Sequence, residues 1–491
     1  MRNTTSGNAR MRHNILFGII IAGMLMLPTI MNAEVRLPSL IADNMMLQQQ
    51  TEVRLWGYAR ADAEVTVTAS WLKGDTRNCR ADGDGRWSLM ITTPEAGFTS
   101  YELTFDDGDG EIRVSDVLVG EVWLAAGQSN MQMPLRGFAG CCVQDGLDDA
   151  INACQYEGVR MFNVPMRQSY TPQEECGGRW MTTADFRDVM DFSATAFYFA
   201  TNLSRALGVP VGIVNCSYGG TRVESWLPKD ILDGYDDITT DSAEISVLTP
   251  EYERPMVTYN GMFHPISRYT VKGMIWYQGC GNVNSYQTYT DRLATMVGLW
   301  REEMELPDIP FYFVEIAPYD YGTGDEARGA RLREAQFRAQ SAIPNSAMVS
   351  TNDTAEPFER FNIHPRHKKV VGHRLSYLAL NLTYGMKDVC CFGPQYAGWT
   401  VKGNEAWVAF DHLDMGICRN YDLRGFEVAG DDRVFHPADS VWLHWQTNEM
   451  VVSSEKVDRP AAVRYGFRDF LPGTMIGGNE LPTVPFRTDD W

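Results

Sequence analysis

The segment Gly127-Gln-Ser-Asn-Met131 follows an apolar run, Glu121-Val-Trp-Leu-Ala-Ala126. Such a run reads as a buried strand, so Ser129 falls on a sharp turn at a strand's carboxyl end. Open α/β sheets place their active sites at that edge. Gly127 permits tight backbone geometry, and the following N–H can donate to an oxyanion. The chemistry on offer is nucleophilic attack by a hydroxyl. The turn is not the G-x-S-x-G elbow, because Met131 stands where its second glycine would be. A serine that only caps a helix would occupy the same kind of turn.

A serine nucleophile needs a base. The chain holds eight histidines. His364 stands before Pro365, and proline favours the first helical turn, so His364 sits on a loop entering a helix. The strand before that loop starts at Ala347-Met-Val-Ser350, which brings His364 to the same sheet edge as Ser129. His364, His367 and His373 lack zinc-site spacing, so no metal is expected. Two further segments follow strands: Ser217-Tyr-Gly-Gly-Thr221 and Trp276-Tyr-Gln-Gly-Cys-Gly-Asn282. Their glycines let backbone N–H groups approach a ligand, and Gln278 and Asn282 add side-chain amides. Each segment alone reads equally as a tight turn or a cap. Together the four segments supply a nucleophile, a base and oxyanion donors at one sheet edge.

The elements that must hold these residues show as changes of period. Strands at Val209–Val214, Val271–Tyr277, Pro310–Ile316 and Ala347–Ser350 alternate with helices at 193–207, 286–304, 328–341 and 365–382. Ser193 is the expected N-cap of the first helix and Gly208 its stop. Strand–helix alternation predicts a parallel α/β sheet. Residues 34–115 and 391–491 instead show short β-branched runs between Gly- and Asp-rich turns, the pattern of β-sandwiches. The expected division is 34–115, 116–390 and 391–491, with 136–180 as an insertion over the α/β domain. Arg2, Arg10 and Arg12 followed by the apolar run Ile15–Met31 read as a secretory signal peptide over 1–33, cleaved near Ala33.

Composition narrows the partners. With 43 Lys+Arg against 63 Asp+Glu the net charge is −20, which argues against nucleic acid and anionic membranes. No stretch after the signal segment is apolar enough for stable membrane insertion. Ten cysteines are too few for a disulfide-built scaffold, although one bridge within Cys141, Cys142, Cys154 and Cys176 is expected.

Several segments in combination resemble the sialate O-acetylesterase family of SGNH-type hydrolases. They are Val117–Met131, Gly219-Gly-Thr-Arg-Val-Glu-Ser-Trp226, Gly273-Met-Ile-Trp-Tyr-Gln-Gly279 and Ile363-His-Pro-Arg-His-Lys368. The flanks Pro38–Gln48, Pro460–Tyr465 and Leu481–Thr488 are similar as well. The resemblance implies an SGNH-like three-layer α/β/α catalytic domain between two β-sandwich-like regions. It implies Ser129 as nucleophile, His364 as general base, and the Ser129 backbone, Gly219, Gly220 and Asn282 as the oxyanion hole. The implied reaction is removal of O-acetyl groups from a glycan or sialic acid through an acetyl-enzyme, with no cofactor.

The candidate substrate contacts are Gln128, Arg222 and Gln278. Arg222 could pair a sialic acid carboxylate in bidentate fashion, or equally pair Glu224 or face solvent. Trp226, Trp276 and Tyr277 line a sugar cleft or belong to the core.

The chain departs from the family pattern at two places. Members commonly read W-Y-Q-G-E-S-N, where this chain has Cys280 and Gly281. Related hydrolases carry an Asp two or three residues before the histidine, where this chain has Asn362 and Phe361. Asp353, Glu356 and Glu359 lie within loop reach. Asp353 is the first choice for triad acid, with Asn362 or a backbone carbonyl as the alternative orienter. Acetylxylan and other acetylated polysaccharides are the alternative substrates, and a non-catalytic glycan-binding protein is the alternative of another class.

Overall fold

The computed structural model describes residues 35–247, 250–322, 324, 326–419 and 422–491. The signal segment expected over 1–33 lies outside the described residues. The catalytic region is built on a sheet whose strands run in the order Ser346–Val349, Phe311–Val314, Gly273–Tyr277, Glu111–Gly127, Val211–Ser217, Val159–Asn163 and Trp180–Thr182. All neighbours are parallel except the last pair. Parallel strands put all their carboxyl ends on one edge. There the register aligns Ser217, Gly127 and Tyr277 side by side.

Both faces of the sheet are covered, which is why its central strands are mainly apolar rather than alternating with polar residues. Val122, Leu124 and Ala126 pack with Met274, Trp276, Phe311 and Phe313 under the helices Tyr286–Glu303 and Arg328–Ala342. Trp123 and Ala125 pack with Ile275, Tyr312 and Val349 under Ala194–Leu207 and Lys368–Leu378. The helix Tyr286–Glu303 turns Leu293, Met296, Val297 and Trp300 inward at spacings of three and four, and all four are fully buried. Each such side chain contributes roughly 1.5–3 kcal/mol over leaving it in water. The helix Ala194–Leu207 begins where expected, with the Ser193 side chain accepting from Ala196 N–H, and Gly208 ends it in the left-handed region. The last helix starts at Lys368 rather than Pro365, so three residues of loop follow His364.

Three local expectations are revised. Strand Glu111–Gly127 is continuous over 17 residues. Its first half pairs with Gly97–Asp106 and Met46–Gln48, and its second half is the centre of the catalytic sheet. The expected boundary at 115–116 therefore falls inside one strand and carries no linker. The 136–180 segment is not wholly an insertion over the fold, because Val159–Asn163 is a strand of the catalytic sheet beside Val211–Ser217. No cysteine pair is bridged; all ten are free thiols.

Residues 395–487 form two four-stranded sheets packed around Val408, Val428, Met450, Val452 and Val463. The Arg487 guanidinium clamps Glu334 with two 3.0 Å hydrogen bonds and so ties this region to the helix Arg328–Ala342. Arg333 Nη2 also donates to the Gly466 carbonyl at 3.1 Å.

Candidate active site

The nucleophile turn is forced by backbone contact. Gly127 sits at φ +136°, and a Cβ there would lie 2.3 Å from the Tyr277 carbonyl oxygen. Gln128 N–H donates to that same oxygen at 3.0 Å, and Tyr218 N–H donates to Gly127 O at 2.9 Å. The chain therefore leaves the strand sharply and enters the short helix Ser129–Gln132. The Ser129 hydroxyl lies 2.8 Å from His364 Nε2 in a hydrogen bond, across 235 residues of sequence. The expected nucleophile and base thus meet.

His364 is held on both sides. Its backbone N–H donates to Asn362 Oδ1 at 3.0 Å, and the Phe138 ring packs edge-on to the imidazole at 5.2 Å. Burial pushes the imidazole down to about 4, and the nearby Lys368 charge pushes the same way. No carboxylate is bonded to His364 among the described residues. Asp353, the expected triad acid, is spent elsewhere: both its oxygens accept from the Arg374 guanidinium, at 2.7 and 2.6 Å. Arg374 projects from the last helix and reaches Asp353 first. Asn362 is the residue beside His364, but it binds the backbone and not the ring. Its amide donates to Glu359 at 3.4 Å, and Glu356 pairs with His367 at 3.1 Å.

The expected oxyanion donors divide. Gly219 lies directly against the nucleophile: a Cβ there would be 3.3 Å from Ser129 Cβ. Its N–H donates to Gln132 Oε1 at 2.7 Å, so a side chain occupies the place of an acyl oxygen. Gly220 sits at φ +80° beneath the Tyr252 ring. Asn282 and Gln278 are fully buried and serve an internal network instead of the open site. Asn282 Nδ2 donates to Glu224 at 2.9 Å, and Asn282 Oδ1 accepts from Val223 N–H and Gln278 Nε2. Gln278 Oε1 accepts from Tyr289. Glu224 is anchored in turn by Arg292 at 2.5 Å. These amides hold the Gly219–Gly220 turn in place.

Gln128 Oε1 accepts from Gly279 N–H at 2.8 Å, linking the nucleophile turn to the next loop. Arg222 donates from Nη2 to Ser285 at 2.7 Å, and its Nε lies 3.5 Å from Glu224. The side chain stays 29% exposed. Trp226, Trp276 and Tyr277 are core residues and line no cleft. Burial pushes the Cys280 thiol up to about 11, which keeps it protonated and unsuited to attack at neutral pH.

Sequence reasoning passed over Gln132, Asn130, Lys368, Phe138 and Tyr252. Gln132 and Asn130 lie within one helical turn of Ser129, and Lys368 lies four residues after His364. Proximity in sequence was the signal available for these three. Phe138, in a turn nine residues past Ser129, and Tyr252, from a distant loop, carried none. A cleft of about 620 Å³ opens at the opposite, amino edge of the sheet, between Gln48–Thr51 and Glu305–Pro310, away from Ser129.

A serine–histidine pair at the carboxyl edge of a parallel sheet between two helical layers defines a serine hydrolase on a three-layer α/β scaffold. Residues 119–381 match the family described as carbohydrate esterase, sialic acid-specific acetylesterase. A solved carbohydrate acetylesterase from Xanthomonas citri is 32% identical, superposes with a TM-score of 0.82, and covers 93% of this chain and 100% of its own. Human sialate O-acetylesterase is 27% identical over 401 residues, 73% of each chain, and the mouse enzyme 26% identical over 435 residues, 77% of this chain and 79% of its own. The chain belongs to the sialic acid-specific acetylesterase family of carbohydrate esterases, and it is an ester hydrolase.

Proposed function

We propose that this chain removes O-acetyl groups from sialic acids through an acetyl-serine intermediate on Ser129. The 2.8 Å hydrogen bond between Ser129 Oγ and His364 Nε2 is the observation that carries the reading. Ser129 Oγ attacks the acetyl carbonyl carbon while His364 Nε2 takes the hydroxyl proton. The oxyanion is met by the N–H groups of Ser129 and of the Gly219–Gly220 turn, once Gln132 withdraws from Gly219. Collapse breaks the bond to the sugar oxygen, which leaves with the proton from His364. His364 then takes a proton from water as the water oxygen attacks the acetyl-serine carbonyl carbon; collapse breaks the bond to Ser129 Oγ, which takes that proton back from His364, and acetate departs.

Substrate choice rests on Arg222. Its partly exposed side chain carries a guanidinium close to the Gly219–Gly220 turn, a group that suits a carboxylate, which sialic acid has and xylose lacks. The 391–491 region is read as a brace for the catalytic domain, and residues 1–33 as an export signal. The test is acetate release from O-acetylated sialic acid, acetylated xylan and a small aryl acetate, by the protein and its Ser129→Ala variant. Release from the sialic acid that Ser129→Ala abolishes supports the reading. Equal or better release from xylan refutes the substrate class. No release from any ester by folded protein refutes catalysis and favours a glycan-binding role.

A further inference from the structure

Lys368 is 1% exposed, and no carboxylate lies within ion-pair distance of its ammonium among the described residues. Its Nζ donates to Asn130 Oδ1 and sits 5.6 Å above the Tyr277 ring. Asn130 is itself 1% exposed and follows the nucleophile directly. Its Nδ2 donates to the Ile363 carbonyl at 3.0 Å, one residue before the base. The Asn130 amide thus joins the nucleophile turn to the base loop, and Lys368 fixes the orientation of that amide. An unpaired buried ammonium costs several kcal/mol in desolvation, so an apolar side chain would serve a purely structural role better.

We propose that Lys368 is a positioning residue for the Ser129–His364 pair, acting through the Asn130 amide that bridges the two catalytic loops. The inference rests on Ser129 and His364 being the catalytic pair. It explains how the imidazole keeps its place with no carboxylate bonded to it. Reactive atoms must be held within a fraction of an ångström of attack geometry, and the tether does this by tying the Ile363 carbonyl to the nucleophile turn.

The ammonium has a second effect on the same pair. The groups facing Lys368 are the Cys280 thiol, the Glu359 carboxylate, the Cys141 thiol and the Tyr277 phenol. Both Glu359 oxygens are already bonded, to Asn362, Arg366 N–H and Glu356 N–H. Facing His364 are Lys368, the Ser129 hydroxyl and the Phe138 ring. Burial brings Lys368 down to about 7, so below that pH it is charged and opposes protonation of His364. Removing the charge must let the imidazole take a proton at higher pH.

The experiment is the pH profile of aryl acetate hydrolysis, from pH 3.5 to 8, for the full chain and for Lys368→Met, Lys368→Arg, Asn130→Ala and the Lys368→Met/Asn130→Ala double variant. Lys368→Met is expected to lower kcat at least ten-fold with KM within two-fold, and to raise the acid limb by about one pH unit. Lys368→Arg keeps the charge and restores the acid limb. Asn130→Ala is expected to lower kcat while leaving the acid limb in place, because the ammonium remains. The double variant is expected to be no slower than the slower single one, since both break one tether. Folded Lys368→Met with kcat within two-fold and an unmoved limb would overturn the inference, as would additive losses. If Lys368→Met does not fold, Asn130→Ala decides: kcat within two-fold of the parent overturns the tether. A parent with no Ser129-dependent hydrolysis overturns the catalytic pair and the inference with it. An active parent with unaffected variants overturns the inference alone.

Discussion

Ester hydrolysis by this protein will hold its full rate well into acid. The perturbation is pH, and the group that reads it is His364. Burial first, then the Lys368 charge, hold its imidazole down to about 4, against an ordinary value of 6.5. The general base must be neutral to take the Ser129 proton. With a base titrating at about 4, roughly nine-tenths of the enzyme is competent at pH 5, whereas a base at about 6.5 would leave roughly 3% competent. The two cases differ by about thirty-fold at pH 5. The assay is kcat/KM for a small aryl acetate at constant ionic strength from pH 3.5 to 8, corrected for spontaneous hydrolysis. An acid limb between pH 6 and 7 would refute the reasoning, because it would mean His364 is solvated or paired with a carboxylate. The same depression has a sign for stability. The unfolded chain takes up this proton near 6.5 and the folded chain only near 4. The contribution of His364 is therefore fully present above about 6.5 and is lost as pH falls toward 4. Urea midpoints over that window check it.

Asn362→Asp puts a carboxylate in the loop that holds His364. An opposite charge within reach raises an imidazole by about one to three units, so the acid limb moves up and the plateau kcat rises, by about ten-fold or more; an unchanged limb would show that residue 362 cannot address the ring. Gln132→Ala frees the Gly219 N–H for the acyl oxygen. It is expected to raise kcat/KM by about five-fold, equal to one hydrogen bond of roughly 1 kcal/mol that substrate no longer displaces; a loss of rate would mean that the Gln132 amide itself contacts substrate. Gly127→Ala forces a Cβ to 2.3 Å from Tyr277 O at φ +136°, and is expected to cost about 2–5 kcal/mol in urea unfolding and to abolish hydrolysis; a variant of parental stability would refute the turn geometry.

Much of the scaffold was readable because its signals are local. The alternation of apolar runs with helical periodicity gave the strand and helix order, and Ser193 and Gly208 marked one helix end to end. The turn at Gly127–Ser129 and the loop at His364 follow strands that proved parallel, so their meeting at one edge was already implied. The continuity of the strand across 115–116 is not legible in sequence, because a change of periodicity looks the same whether a strand ends or runs on into a second sheet. The strand Val159–Asn163 was hidden in a segment whose glycines and cysteines suggested only loop.

What the sequence by itself determined is the set of reactive residue types and the edge of the sheet on which they gather. Tertiary structure alone decided which of them remain free to react. Asp353 has the right chemistry for a triad acid, but Arg374, 21 residues on, takes both its oxygens. Asn282 and Gln278 have the right amides for a ligand, yet Glu224 and its Arg292 anchor draw them into the interior. Lys368 looks like a surface helix residue in sequence and is instead fully buried beside the catalytic pair. A hydrogen-bonding group has few places to spend its bonds, and its partners come from segments tens to hundreds of residues away. Competition among those partners, and the water excluded around them, exist only in the folded chain.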